Sequence, residues 1–307
     1  MRVGLIDVDS HNYPNLCLMK LSAYHKVKGD SVEWYNAFDD RYDLVYMSKV
    51  FSFSPDFADH VNADRVIRGG TGYDITLVDG REIYSKGDCL PYEVEHIYPD
   101  YSLYGITDTA YGFLTRGCPR ACAFCHVAPK EGKKSVKVAD LSEFWRGQKT
   151  IVLNDPNILA CKEWKELLGQ LQGSRAKVDI NQGMDARLMT REKAEMLKRI
   201  KMSEVHFAWD RYNEKDKVLK GLDIYSEYGN KIPSRNKIVY VLCNYDTTID
   251  QDLERIYTLR EMGYWAYVTI YDKQHCDSTY RKLQRWVNNR FIFAVCERFE
   301  DYQKQQQ

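Results

Sequence analysis

The chain has 307 residues, 44% hydrophobic and 29% charged, a length that fits one large α/β barrel or two modest domains. Lys and Arg number 44, as do Asp and Glu, so the formal charge is zero and a polybasic mode of binding to nucleic acid or anionic membranes is excluded. No apolar run is long enough to cross a bilayer, and the opening MRVGLIDVDSHNYP lacks the basic start and apolar core of a secretory signal, so no membrane partner and a cytoplasmic location are expected.

In chain order, RVGLID predicts a buried strand and Pro14 to Lys28 a helix, after which DSVEWYN, YDLVYMS and DRVIRGGTG predict three further strands, the last running into a glycine turn. Strands joined by crossovers predict a small, doubly wound parallel sheet of flavodoxin or Rossmann type. The tyrosine-rich stretch GREIYSKGDCLPYEVEHIYPDYSLYG predicts an irregular connector or a small hairpin. Then follow six strand-like segments, YGFLTRG, TIVLNDP, KVDINQG, EVHFAWD, KIVYVLCNYD and WAYVTIYD, most of them succeeded by a helical pattern. The helices ACKEWKELLGQLQG, TREKAEMLKRIK and TIDQDLERIYTLREMG are legible from apolar spacing, the last two with Thr as N-cap. The expected architecture is α/β, with residues 1–100 forming the first domain and its connector, and residues 101–307 forming a partial (β/α)6 barrel with a C-terminal extension. The tail QKQQQ is expected to fray.

In such a barrel chemistry gathers at the strand C-termini. That singles out Asn154 and Asp155 after the second strand, Asn181 and Gln182 after the third, Trp209 and Asp210 after the fourth and Asn244 after the fifth. Asn and Asp at such places also cap helices and make turns, so both readings stand. Arg187 and Asp185, in NQGMDARLM, could bind a ligand or pair with each other as an exposed ion pair.

Nine cysteines in a reducing compartment point to metal binding where they cluster and to small buried hydrophobes where they do not. Cys17, Cys89, Cys161, Cys243, Cys276 and Cys296 are scattered; Cys118, Cys122 and Cys125 form a C-x3-C-x2-C motif after the first barrel strand. A zinc site would need His126 as fourth ligand, and its adjacency to Cys125 points it poorly for a shared tetrahedron. Cys122 to His126 also matches the C-x-x-C-H pattern of covalent haem attachment, which leaves Cys118 without a role. The third reading is a [4Fe-4S] cluster held by three thiolates, whose fourth iron is open to substrate or cofactor.

With Phe124 immediately before the last cysteine, this motif at the end of the first strand of a six-unit barrel resembles the radical S-adenosylmethionine (SAM) superfamily, over roughly residues 105–275. The resemblance implies an enzyme in which Cys118, Cys122 and Cys125 ligate a [4Fe-4S] cluster, SAM chelates the open iron, and an electron from the cluster cleaves SAM reductively to start radical chemistry on a substrate. It implies a reductant such as flavodoxin or ferredoxin. It places Phe124 beside the adenine, Asn154, Asp155 and Asn157 at the SAM amine, Asp210 at the ribose and the end of the fifth strand, around Asn244, at the adenine; Gln182 and Arg187 lie where SAM or substrate binds. LNDPN, FAWDR and LCNYDTT depart from the family's usual Gly-Gly-Glu, Gly-x-Glu-Ser and fifth-strand glycines.

The first domain, with GGTG after its fourth strand, resembles the cobalamin-binding-type domain of one large branch of that superfamily. The resemblance implies cobalamin as a further cofactor. In Asp9-Ser10-His11-Asn12-Tyr13-Pro14, however, proline stands where the histidine-ligating signature has glycine, so a degenerate, substrate-covering or structural domain is the alternative. Only Cys17 and Cys89 precede the motif, which gives one cluster rather than the two of the methylthiotransferases.

Tyr280 to Tyr302 interleaves Arg281, Arg285 and Arg290 with Trp286, Phe291 and Phe293. This suits nucleic acid, or, as its neutral surroundings favour, a closing helix followed by a seventh strand. A non-catalytic iron–sulfur or zinc protein for binding or sensing is the alternative from another class.

Overall fold

In a computed structural model, which describes residues 1–11, 13–78, 81–84 and 89–304, the chain divides into two compact units. The first comprises residues 1–112, 117–134 and 138–149, and the second residues 113–116, 135–137 and 150–307. This division by compactness and the expected one at residue 100 differ over residues 101–149, most of which pack with the first unit.

The first unit holds a four-stranded parallel sheet of β1 (Arg2–Asp7), β2 (Ser31–Trp34), β3 (Tyr42–Ser48) and β4 (Ala63–Gly69), in the order β2-β1-β3-β4. The helix α1 (Leu16–Val27) is capped by Asn15, whose side chain accepts the Leu18 N–H. Its Leu18 and Leu21 pack with Val3, Leu5 and Leu44 on one side of the sheet. The other side, around Ile6, Tyr42, Val45 and Met47, is covered by Phe57, Val61 and Tyr73. Loops without a helix join β2 to β3 and β3 to β4, so the helical double winding expected from the strand pattern is replaced on that side by irregular chain. The short helix α2 (Thr71–Asp74) leads into the antiparallel hairpin β5 (Ile75–Val78) and β6 (Arg81–Tyr84), followed by α3 (Tyr92–Glu95), β7 (Thr109–Gly112) and α4 (Val127–Glu131). Of this hairpin only β6 falls in the stretch expected to form a connector or small hairpin; β5 precedes it.

In the second unit the two-residue strands β8 (Thr115–Arg116) and β9 (Val136–Lys137) pair antiparallel. Five strands follow: β10 (Thr150–Leu153), β11 (Lys177–Ile180), β12 (Val205–Ala208), β13 (Lys237–Cys243) and β14 (Trp265–Ile270). β10 pairs parallel with β11, and β12, β13 and β14 form a parallel sheet. A parallel bridge of Met184 to Phe207, with the Met184 N–H donating to the His206 carbonyl at 2.7 Å, ties the chain after β11 to β12.

Between these strands lie α5 (Trp164–Ser174), α6 (Arg191–Lys198), α7 (Lys215–Tyr228) and α8 (Ile249–Glu261). Thr190 and Thr248 cap α6 and α8 as predicted, the latter in a capping box with Gln251. The helix α7 went unnamed in the sequence because charge dominates its surface, although Val218, Leu222 and Tyr225 make a buried stripe at three-to-four spacing. Alternation along the strands buries Ile151, Leu153, Val178, Ile180, Val205, Phe207, Val239 and Val241. The residues between them, among them Asp179, His206 and Tyr240, point to the opposite face.

The chain closes with α9 (Ser278–Asn288), α10 (Arg290–Val295) and α11 (Phe299–Lys304). The expected closing helix is present and the expected seventh strand is not. Asn289 accepts the N–H groups of Phe291 and Ile292, both at 3.1 Å, and so starts a helix. In a strand Phe291 and Phe293 would share a face; here Phe293 is buried against Trp286 and Phe291 is exposed. The residues after Lys304, most of the predicted frayed tail, lie outside those described. Among the described residues no helix is long and apolar enough to cross a membrane.

Candidate functional site

The cysteine loop is built around backbone that few residues tolerate. Gly117 has φ +82°, and a Cβ there would lie 2.2 Å from the Lys134 carbonyl oxygen. Its N–H donates to Glu131 at 3.1 Å, and the Cys118 N–H donates to the Gly132 carbonyl, also at 3.1 Å. Ala121 is left-handed at φ 45°, and the Cys125 N–H closes a turn on the Cys122 carbonyl at 3.0 Å. Cys118, Cys122 and Cys125 are each half-buried, as is Phe124. Three thiols on one tight loop are the donor chemistry an iron–sulfur cluster takes. Among the described residues no three His, Cys, Asp or Glu side chains gather as a metal site.

Of the scattered cysteines, Cys161, Cys243 and Cys296 are buried as expected, whereas Cys89 is exposed. Burial pushes the Cys161 thiol up to about 11.

In the second unit Asp155, only 1% exposed, follows β10. Its carboxylate accepts the Leu114 N–H at 3.1 Å and, from Thr115, the N–H at 2.5 Å and the hydroxyl at 2.6 Å. Burial raises its pKa to about 6, against the pull of the Thr115 and Leu114 donors. Asp155 therefore fixes the chain immediately before the cysteine motif. Asn157 is buried, and its carbonyl accepts the Ser135 hydroxyl at 2.9 Å.

The polar ends of β10 and β11 meet. Asn181 donates from Nδ2 to Asn154 Oδ1 at 3.2 Å and accepts from Gln182 Nε2 at 3.1 Å. The Tyr240 hydroxyl donates to the Asn181 carbonyl at 2.9 Å. The Tyr240 ring stacks on His206, with centroids 5.6 Å apart, and His206 Nδ1 lies 3.4 Å from Asp179 Oδ1.

Arg187 and Asp185 do pair, at 2.6 and 3.1 Å, and Glu214 accepts a further bond from the same guanidinium. Asp185 is buried and the Arg187 side chain is 15% exposed, so the pair is less open to solvent than the sequence suggested. Asp210, beyond β12, has its pKa raised to about 6 by burial, opposed by the cations Arg255 and Arg187. Asn244 takes the left-handed conformation at φ 63° and donates from Nδ2 to the Tyr271 carbonyl at 2.9 Å, so it shapes the turn after β13.

One component escaped the sequence altogether. Arg255 and Asp252 of α8 are fully buried and paired at 2.5 Å. The guanidinium also donates to the carbonyls of Trp209 at 2.6 Å and Leu242 at 2.7 Å. It thereby holds the ends of β12 and β13, next to Asp210 and Asn244. An Asp-x-x-Arg on a helix reads as an ordinary surface pair, and only burial distinguishes it.

In the first unit Asp9 accepts the N–H groups of Val50 at 2.7 Å and Phe51 at 2.9 Å. A Cβ on Gly70 would meet the Lys49 carbonyl oxygen at 2.4 Å, and one on Gly72 the Phe51 carbonyl oxygen at 2.7 Å. Gly70 and Gly72 of the GGTG turn thus lie against the protein's own backbone, whereas a Cβ on Gly69 would meet nothing within 4 Å, and His11 is exposed. Asn12, within the same motif, lies outside the described residues. Asp9, Gly70 and Gly72 thus serve the protein's own backbone.

No family model and no curated protein sequence matches the chain. Among solved structures it is similar to the cobalamin-dependent S-adenosylmethionine radical enzyme OxsB, determined with aqua-cobalamin and S-adenosylmethionine bound, at TM-score 0.53 and 13% identity. The match covers 98% of this chain and 56% of that one, so the chain spans little more than half the length of that enzyme. At this identity the likeness is one of fold alone: a mixed α/β chain with parallel sheets.

Proposed function

We propose that the chain is a radical SAM enzyme acting on a substrate still to be identified. The observation that carries this is the C-x3-C-x2-C loop, built on a glycine where any side chain would meet backbone at 2.2 Å, in a chain whose fold resembles a radical SAM enzyme over nearly its whole length. Cys118, Cys122 and Cys125 would hold a [4Fe-4S] cluster, which when bound supplies the electron that cleaves SAM. Phe124 is the candidate for covering the adenine. Asn154, Gln182 and Asp210 are candidates for the polar contacts to SAM, because each stands at a strand end. Asp155, Asn157, Arg187 and Asn244 are further candidates, and three of them also hold the strand-end loops: Asp155 and Asn244 bond to backbone groups, and Arg187 pairs with Asp185 and Glu214. A flavodoxin- or ferredoxin-type reductant in the cytoplasm belongs to this reading.

The test is anaerobic reconstitution of the full chain, with iron and sulfide counting, EPR of the reduced protein with and without SAM, and assay of 5′-deoxyadenosine. About four irons, a signal changed by SAM, and loss of both in Cys122→Ala support the proposal. Bound zinc, or a cluster indifferent to SAM, refutes it and leaves the non-catalytic binding protein.

A further inference from the structure

Beside β14 the second unit has a cavity of about 630 Å³ lined by Tyr267, Lys273, Arg281, Gln284, Arg285, Asn288 and Asn289. Three of these are cationic and none is acidic. We infer that this cavity binds an oxyanion, the phosphate or carboxylate group of a small ligand; the inference rests on the proposed function only for calling that ligand a substrate.

The helix α9 produces the site by its periodicity. Leu283, Trp286 and Val287 are fully buried, while Arg281, Gln284, Arg285 and Asn288 recur at three-to-four spacing on a second face. β14 is the last strand of its sheet, and an uncovered edge exposes unpaired backbone groups. Asn288 accepts the Val268 N–H at 2.8 Å and donates to the Val268 carbonyl at 2.9 Å; Gln284 donates to the same carbonyl at 3.1 Å. These two amides fasten the helix against the edge and fix where its cations stand.

Arg281 is oriented by the backbone, donating to the carbonyls of Lys273 and Gln274, each at 3.1 Å. Among the described residues none of Lys273, Arg281 and Arg285 forms an ion pair, although the chain has as many acids as bases. Ser278–Asn288 contains Arg281, Lys282 and Arg285 and no acid. Guanidinium forks match phosphate and carboxylate oxygens bidentately, and a concave wall of this volume suits a small molecule. Tyr267 extends the wall toward the strand face: it is 44% exposed and meets Tyr240 edge-on at 5.8 Å. A ligand whose oxyanion lies at the arginines therefore has an aromatic surface beside it.

The experiment is titration calorimetry on the full chain with inorganic pyrophosphate and, separately, tricarballylate. Saturable binding of one or both is expected, weakened about tenfold or more in Arg281→Gln/Arg285→Gln, since each charge-assisted bond contributes about that factor. Pyrophosphate alone assigns a phosphate ligand, and tricarballylate alone a carboxylate. Arg285→Gln by itself is the second variant, because among the described residues the Arg285 guanidinium, unlike that of Arg281, donates to no backbone carbonyl. Absence of saturable binding, or equal binding by wild type and the folded Arg285→Gln protein, overturns the inference. So does binding of a single-stranded RNA oligomer without either small anion, which would make α9 part of an extended nucleic-acid face. Iron counting and EPR on wild type decide the cluster separately, so failure of one reading is not mistaken for failure of the other.

Discussion

The Asp155 carboxylate accepts both the N–H and the hydroxyl of Thr115, at 2.5 and 2.6 Å, with Asp155 itself buried. Two residues after Thr115 the chain enters the glycine turn of the cysteine loop. Asp155→Asn would turn an amide donor toward the N–H groups of Leu114 or Thr115, and unsatisfied buried groups cost about 1–3 kcal/mol. Thr115→Val removes only the hydroxyl bond, at about 1 kcal/mol. Urea unfolding of the two variants is expected to rank them in that order. Equal midpoints for Asp155→Asn and wild type would contradict the anchoring role.

The same carboxyl makes a pH signature. Its pKa is about 6 in the fold, raised from 3.8, so the folded state binds a proton more tightly than the unfolded chain. The stability it contributes is therefore complete below pH 4 and is lost as pH rises through 6. Two pKa units correspond to roughly 3 kcal/mol. The stability difference between wild type and Asp155→Asn, measured from pH 4 to pH 7, should shift against wild type by an amount of that order. A difference that moves the other way would mean that the donors of Thr115 and Leu114 outweigh burial.

Gly117→Ala tests the loop without touching a thiol. The added methyl falls 2.2 Å from the Lys134 carbonyl oxygen at a φ of +82°, so the turn must open. With all three cysteines retained, iron incorporated on reconstitution should fall to less than half of wild type, while far-ultraviolet circular dichroism stays unchanged. Full iron content in the variant would show that the thiols reach a cluster from a remodelled loop.

The strands were legible because their apolar residues alternate or run together, as in RVGLID and KIVYVLC, and α6 and α8 because Thr190 and Thr248 announce them. The cysteine spacing was legible for the same local reason. What the sequence did not reveal depends on contacts between distant positions. For Asp155 the sequence leaves ligand contact and structural role equally open, since nothing local says that Leu114 and Thr115 donate to it. For Asn244 likewise, only the backbone shows that it takes the left-handed conformation of a turn. Gly70 and Gly72 of GGTG look like part of a ligand cradle until Lys49 and Phe51 are seen against them. Phe291 to Val295 has strand-like composition, and the cap at Asn289 overrides it.

Arg255 is the residue whose loss should damage the strand ends most. Arg255→Met leaves the Asp252 carboxylate buried without its cation and the carbonyls of Trp209 and Leu242 without their donor. Breaking a buried pair from one side costs about 3–5 kcal/mol, whereas removing both charges costs less than the sum of the single changes. Asp252→Asn/Arg255→Met should therefore be more stable than Arg255→Met alone in urea unfolding. The cation also lowers the Asp210 pKa, so in Arg255→Met the Asp210 carboxyl should titrate higher than in wild type, a shift that carbon-13 NMR of the labelled side chain would read. Additive stability changes would show that the two groups stabilise the fold independently. An unmoved Asp210 titration would show that Arg255 positions the strand ends without tuning their charge.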